Sequence, residues 1–166
     1  AYDDGIRHVQ LVHYIKNQVG DIQTERPEHG GLTRFGKELV VALNQQGILV
    51  DLAHSTSESI GHALTVSKAP VIWSHSYIAD TPASWTTSGY RSRALGTKDA
   101  KRIADSGGAI GLWSLSASFG GGIDGYAAEI IRMVNLIGAD HVMFGSDQDG
   151  LPEGAVINQV SDLRKV

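Results

Sequence analysis

The sequence predicts an α/β fold around a parallel sheet: a (β/α)8 TIM-like barrel, of which about five β/α units are present. Three observations lead there. Short apolar runs alternate with helix-length amphipathic segments along the whole chain. The apolar runs show little in/out alternation, as expected of strands covered on both faces. And His13, His54, His75, Ser114 and Asp147 all fall at the C-terminal ends of these runs. In a barrel every such end opens on one common mouth, whereas in a doubly wound open sheet only the ends at the switch point converge. A barrel takes about 250 residues, so the 166-residue chain reads as one domain, residues 1–166, and as a large part of a barrel.

The elements follow in order. His8-Val-Gln-Leu-Val-His-Tyr14 reads as the first strand. The polar loop after it, with Asn17, Gly20, Pro27 and Gly30-Gly31, is long enough to suggest function. Thr33 caps a helix to about Gln46, with Phe35, Leu39, Val40 and Leu43 at helical spacing and Gly47 as its stop. Ile48-Leu-Val-Asp-Leu-Ala-His54 is the second strand. Ser55 or Ser57 caps the next helix, and Pro70 breaks it before the third strand, Val71-Ile-Trp-Ser-His75. A loop from Ser76 to Gly96 carries Pro82, Trp85, Tyr90, Arg91 and Arg93. Thr97 opens a helix ending at Gly107-Gly108, and Ala109 to Leu115 is the fourth strand. Gly120-Gly-Gly122 reads as a flexible connection, because it lacks the Lys and Ser/Thr of a phosphate loop. A helix from about Tyr126 to Ile137, stopped by Gly138, leads to the last strand, His141-Val-Met-Phe-Gly-Ser-Asp147.

Composition narrows the function classes. The apolar fraction of 42% and charged fraction of 19% are those of an ordinary soluble globular chain, long enough for one real core. A net charge of -4 and scattered Lys and Arg argue against a nucleic-acid partner. The chain has no cysteine, which excludes disulfides, thiolate zinc sites and a cysteine nucleophile. No Gly-x-Ser-x-Gly elbow is present either. No apolar run reaches the 18 residues of a membrane span. The chain opens on Ala-Tyr-Asp-Asp with no visible signal peptide, so an upstream targeting signal and the choice between a cytoplasmic and an exported or periplasmic location both stay open.

The chemistry concentrates at the strand ends. His54 and His75, 21 residues apart, end adjacent strands, and imidazole is the commonest neutral ligand of zinc-like metals. One such histidine could simply cap its strand; two in adjacent units favour ligation. Asp147 could complete a metal shell or take a proton from an activated water, while Asp149 reads as turn chemistry. His13 is a candidate third ligand or a donor to a reacting oxygen. Arg93 could clamp a carboxylate bidentately. His8, His29, His62 and His141 receive no role, and Trp73, Trp85 and Trp113 read as packing or pocket wall.

Gly31-Leu-Thr-Arg-Phe-Gly-Lys-Glu-Leu-Val40, Leu49-Val-Asp-Leu-Ala-His54, Ala69-Pro-Val-Ile-Trp-Ser-His-Ser76 and Phe144-Gly-Ser-Asp-Gln-Asp-Gly150 resemble the renal (membrane) dipeptidase family, the M19 metallopeptidases. The resemblance spans nearly the whole chain, with the motifs in the family's order. It implies a (β/α)8 barrel holding two zinc ions, bridged by a carboxylate and a water or hydroxide, that hydrolyses dipeptides, in some members those with a D-residue. Carried over by motif, His54 and His75 would bind the second zinc and Asp147 would contact the first and shuttle the proton. His13 would polarise the scissile carbonyl. Arg93, with Arg91 as its rival, would hold the substrate's C-terminal carboxylate. The resemblance also implies a single catalytic barrel domain of the metal-dependent hydrolase type, of which residues 1–166 lack the N-terminal strands and the C-terminal helical part. The family's His-x-Asp pair and bridging glutamate are not found in residues 1–166, and Gln148 stands where an aromatic residue is usual. The implied partner is a small dipeptide, with a homodimer left open. Two alternatives remain at this point: another metal-dependent amide or lactone hydrolase on the same barrel, or a non-catalytic barrel protein that has lost one metal site.

Overall fold

The computed structural model describes residues 1–166 except Pro82, Pro152 and Glu153, so the reading of Pro82 as part of a loop lies outside the described residues. The strands are β1 (His8–Gln10), β2 (Leu49–Asp51), β3 (Val71–Ser76), β4 (Ile78–Ala79), β5 (Leu95–Gly96), β6 (Ala109–Trp113) and β7 (Val142–Gly145). The α-helices are α1 (Arg34–Gln45), α2 (Ser57–Val66), α3 (Thr97–Asp105) and α4 (Gly122–Ile137).

Five strands form one sheet in the order β1-β2-β3-β6-β7, every neighbouring pair parallel. This spatial order is the chain order, with no reversal and hence no switch point. A doubly wound sheet requires such a reversal; the wall of a barrel does not. The helices pack as consecutive neighbours, α1 on α2, α2 on α3 and α3 on α4, which places them on one side of the sheet. The structure is therefore an arc of a (β/α)8 barrel. Its core lies between strands and helices, where Val50, Val71, Trp73, Ile110 and Leu112 meet Val40, Ile60, Ile103 and Met133, all of them buried.

Local chemistry sets the helix boundaries. The Thr33 hydroxyl accepts the Gly36 N–H at 3.0 Å and caps α1. Gly36 itself faces the preceding loop so closely that a Cβ there would lie 2.1 Å from the Val19 carbonyl oxygen. Phe35, expected on the apolar face, turns to solvent. The cap of α2 is Thr56, not Ser55 or Ser57: its hydroxyl accepts the Ser59 N–H at 3.2 Å. α4 begins at Gly122, four residues earlier than expected. Gly120, Gly121 and Gly122 all have positive φ, near 70°, 74° and 62°, so the triple glycine is the left-handed entry to a helix and not a slack connection. The Ser76–Gly96 loop contains the short parallel pair β4–β5. His141 precedes β7 in a 3-10 turn and contacts the Gly108 carbonyl oxygen through Nδ1 at 2.7 Å. Among the described residues, no helix is long and apolar enough to cross a membrane.

Candidate active site at the C-terminal end of the sheet

Apart from β3, which includes His75 and runs one residue further to Ser76, the strands stop earlier than the sequence suggested, and the chain beyond their C-terminal ends is held by specific hydrogen bonds. Asp51, the last residue of β2, is fully buried. Its Oδ1 accepts the Ala53 N–H at 2.9 Å and the Ser74 N–H at 3.0 Å, tying the turn after β2 to β3. Oδ2 of the same carboxylate meets His8 Nε2 at 3.0 Å. This turn delivers His54, which adopts φ 72°, a left-handed conformation uncommon for a side-chain-bearing residue. The His54 carbonyl oxygen accepts the Gln23 N–H at 2.8 Å. Asp147 is the other non-glycine residue with positive φ among the described residues, 48°. Both exceptions are residues the sequence had singled out.

The two imidazoles face each other, His54 Nε2 to His75 Nε2 at 3.2 Å. On the far side of its ring, His75 contacts the Ser74 hydroxyl through Nδ1 at 2.8 Å, whereas His54 Nδ1 is buried without a hydrogen-bond partner among the described residues. Asp147 Oδ2 stands 3.8 Å from His75 Nε2 and accepts the indole N–H of Trp113 at 3.1 Å. The His13 ring centroid lies 4.4 Å from that of His54, and Tyr14 sits edge-on to both rings. Arg93 is 2% exposed and its guanidinium lies 5.6 Å from the Tyr14 ring centre. Arg91, the alternative, is exposed and lies against Tyr90. Ser114, the remaining strand-end residue, donates to the Ser146 carbonyl oxygen at 2.8 Å.

Burial controls the electrostatics. It pushes His54 down to about 2, helped by the Arg93 cation and then by His75 and His13. His75 is lowered by burial too, against the opposing pull of the Asp147 carboxylate. Both rings are therefore neutral near pH 7 and carry lone pairs. Arg93 is lowered by burial to about 10 and remains a cation.

This donor set suits a metal. With Zn–N bonds of 2.0–2.1 Å and a tetrahedral angle, two ligating nitrogens stand about 3.3 Å apart, close to the 3.2 Å between the facing Nε2 atoms. His54 and His75 are thus the pair that could hold one ion. Among the described residues, no three or more His, Cys, Asp or Glu side chains stand together as a metal-holding group, so Asp147 is near the pair without joining it.

Several neighbours escaped the sequence reading. Trp113 is not only pocket wall, since its indole N–H holds Asp147. Asp51 carried a signal, a carboxylate inside an apolar run, which burial makes costly unless it is hydrogen-bonded. Tyr14 and Gln23 carried none, because their positions depend on how the Leu11–Leu32 loop folds back.

Residues 1–166 match the family model for membrane dipeptidase (peptidase family M19). An uncharacterized dipeptidase of Schizosaccharomyces pombe is 30% identical over 163 residues, covering 92% of this chain and 37% of the relative. Dipeptidase aclJ of Aspergillus oryzae is 31% identical, covering 90% and 36%. Among solved structures, an amidohydrolase from Pseudomonas aeruginosa superposes with a TM-score of 0.73 at 32% identity, over 86% of this chain and 42% of that one. A metallo peptidase from Rhodobacter sphaeroides, liganded with a phosphinate mimic of the dipeptide L-Ala-D-Ala, gives a TM-score of 0.81 at 23% identity, over 99% and 48%; at that identity the match speaks for the fold alone. The chain thus spans little more than a third of the length of these curated relatives and just under half of these solved structures. With motifs, strand order and relatives in agreement, the chain belongs to the membrane dipeptidase family, peptidase family M19.

Proposed function

We propose that the protein is a zinc-dependent dipeptidase, hydrolysing the peptide bond of dipeptides, those with a D-residue included. The observation that carries this reading is the buried, neutral imidazole pair facing through Nε2 at 3.2 Å, with one carboxylate and one buried cation beside it.

His54 and His75 would hold one of two zinc ions. When bound, such metals supply Lewis-acid polarisation of a carbonyl oxygen and make water acidic enough to attack near neutral pH. The remaining steps belong to side chains of this chain. Asp147, with Oδ2 anchored by Trp113, accepts the proton of the attacking water and returns it to the leaving amine. His13 stands at the exposed rim beside His54 and donates to the carbonyl oxygen as negative charge grows there. Arg93 offers Nε and Nη2, both buried and without a hydrogen-bond partner among the described residues, to the substrate's terminal carboxylate. The Tyr14 and Trp113 rings wall the site.

The likeness to an amidohydrolase at 32% identity supports a second reading, hydrolysis of other amides by the same groups, because substrate choice lies in loops. A panel of L,L- and L,D-dipeptides, cyclic amides and lactones, assayed on the full-length protein with and without a chelator, separates the two. The dipeptidase reading expects chelator-sensitive cleavage of dipeptides above all others. Turnover of cyclic amides or lactones alone would contradict it.

A further inference from the structure

Gln23 lies 70 residues from Arg93 in sequence, yet their side chains meet in the buried wall of the site. Its Oε1 accepts from Arg93 Nη1 at 3.0 Å. Its Nε2 donates to the Ala94 carbonyl oxygen at 3.0 Å. Its own backbone N–H donates to the His54 carbonyl oxygen at 2.8 Å. The amide cannot turn over without setting its NH₂ against the guanidinium and its oxygen against a carbonyl, so its orientation is fixed by what it touches. The main chain of Arg93 is fastened separately, where its carbonyl oxygen accepts from the Ser76 hydroxyl.

Two consequences follow for the guanidinium. Gln23 engages one terminal nitrogen and leaves the Nε–Nη2 edge, the side that presents two parallel N–H groups, buried and without a hydrogen-bond partner among the described residues. A planar carboxylate matches that edge in a bidentate pair. Gln23 is also neutral, so it orients the cation without cancelling its charge. A carboxylate at position 23 would also accept from Arg93 and satisfy the charge from within, at the cost of setting its second oxygen against the Ala94 carbonyl. The Tyr14 hydroxyl also lies by Arg93, and the Asp147 and Asp51 carboxylates favour its charge, but none of them is in an ion pair with it among the described residues, so a ligand carboxylate would be its direct anionic partner.

We propose that Gln23 is a positioning residue that turns the Nε–Nη2 edge of Arg93 toward the ligand, and so makes the site select molecules ending in a free carboxylate over their amides. This rests on the dipeptide reading of Arg93 given above.

The test uses the full-length protein with its metal, a dipeptide and the same dipeptide as its C-terminal amide. Wild-type protein is expected to favour the free acid in kcat/KM. Gln23→Met keeps the side-chain length but cannot accept from Arg93. It should raise KM for the acid about tenfold, the loss of one hydrogen bond to a charged group, with kcat for the acid and kcat/KM for the amide each within about twofold. Gln23→Glu, which retains an acceptor and should fold where Met does not, should lower the acid-to-amide ratio further by neutralising Arg93. An unchanged ratio in both variants, or an equal fall for both substrates through kcat, overturns the proposal. Arg93→Met locates the failure. If it abolishes the ratio while the Gln23 variants do not, only the role of Gln23 falls. If it too leaves the ratio intact, the carboxylate reading of Arg93 falls, and the role of Gln23 with it.

Discussion

Acidification of the metal-free protein from pH 6.5 to pH 5 should weaken the fold by about 2 kcal/mol through His54 alone. In the folded state burial pushes this ring from 6.5 down to about 2, so it stays neutral across the interval, while the unfolded chain takes up its proton. Stability is then present above the ordinary histidine value and is lost as pH falls, by about 1.4 kcal/mol per pH unit for one such group. Because the unfolded ring is only half protonated at pH 6.5, the slope builds up over the interval and the 1.5 units come to somewhat under ~2 kcal/mol, and His75, lowered in the same direction, adds to it. This is a large share of a typical 5–15 kcal/mol domain stability. Asp21 is lowered from 3.8 and loses its contribution only at more acid pH, so the two windows separate. Urea unfolding followed by circular dichroism at pH 7, 6 and 5, in chelator, reads the effect, with His54→Asn as the comparison. A stability that is flat across this range, or a slope that His54→Asn leaves unchanged, would refute the claim that the ring is buried and neutral.

Two substitutions probe the supports of the site. The Asp21 carboxylate accepts the backbone N–H groups of Glu28, His29 and Gly31; Asp21→Ala strands three donors and should cost about 3 kcal/mol, with faster protease cleavage between residues 22 and 31 and unfolding midpoints as the readouts. Trp113→Phe removes the donor that holds Asp147 Oδ2 and should lower kcat about tenfold with metal content retained; an unchanged kcat would show that the indole does not position the carboxylate.

The positions of His13, His54, His75 and Asp147 were legible because an apolar run that stops on a polar residue marks a strand end, and parallel strands share one C-terminal face. The strand order confirmed the barrel for the same reason. What escaped depended on contacts distant in sequence or on elements too short to show a period. β4 and β5 have two residues each, and no alternation can be read in two residues. The glycine triplet before α4 has a loop's composition, and only its positive φ values reveal a helix start. Thr56 outcompeted two serine neighbours as a cap by geometry that sequence does not carry. Gln23 is an unremarkable glutamine until the loop after β1 folds back on Arg93.

The proposed function depends first on His54 and His75 holding a metal ion together. It is tested most directly by measuring zinc in the purified full-length protein and in His54→Ala and His75→Ala, with dipeptide hydrolysis assayed on the same samples. Loss of bound zinc in each variant, with loss of hydrolysis beyond about a hundredfold, is the predicted result. Wild-type zinc content and activity in either variant would contradict it.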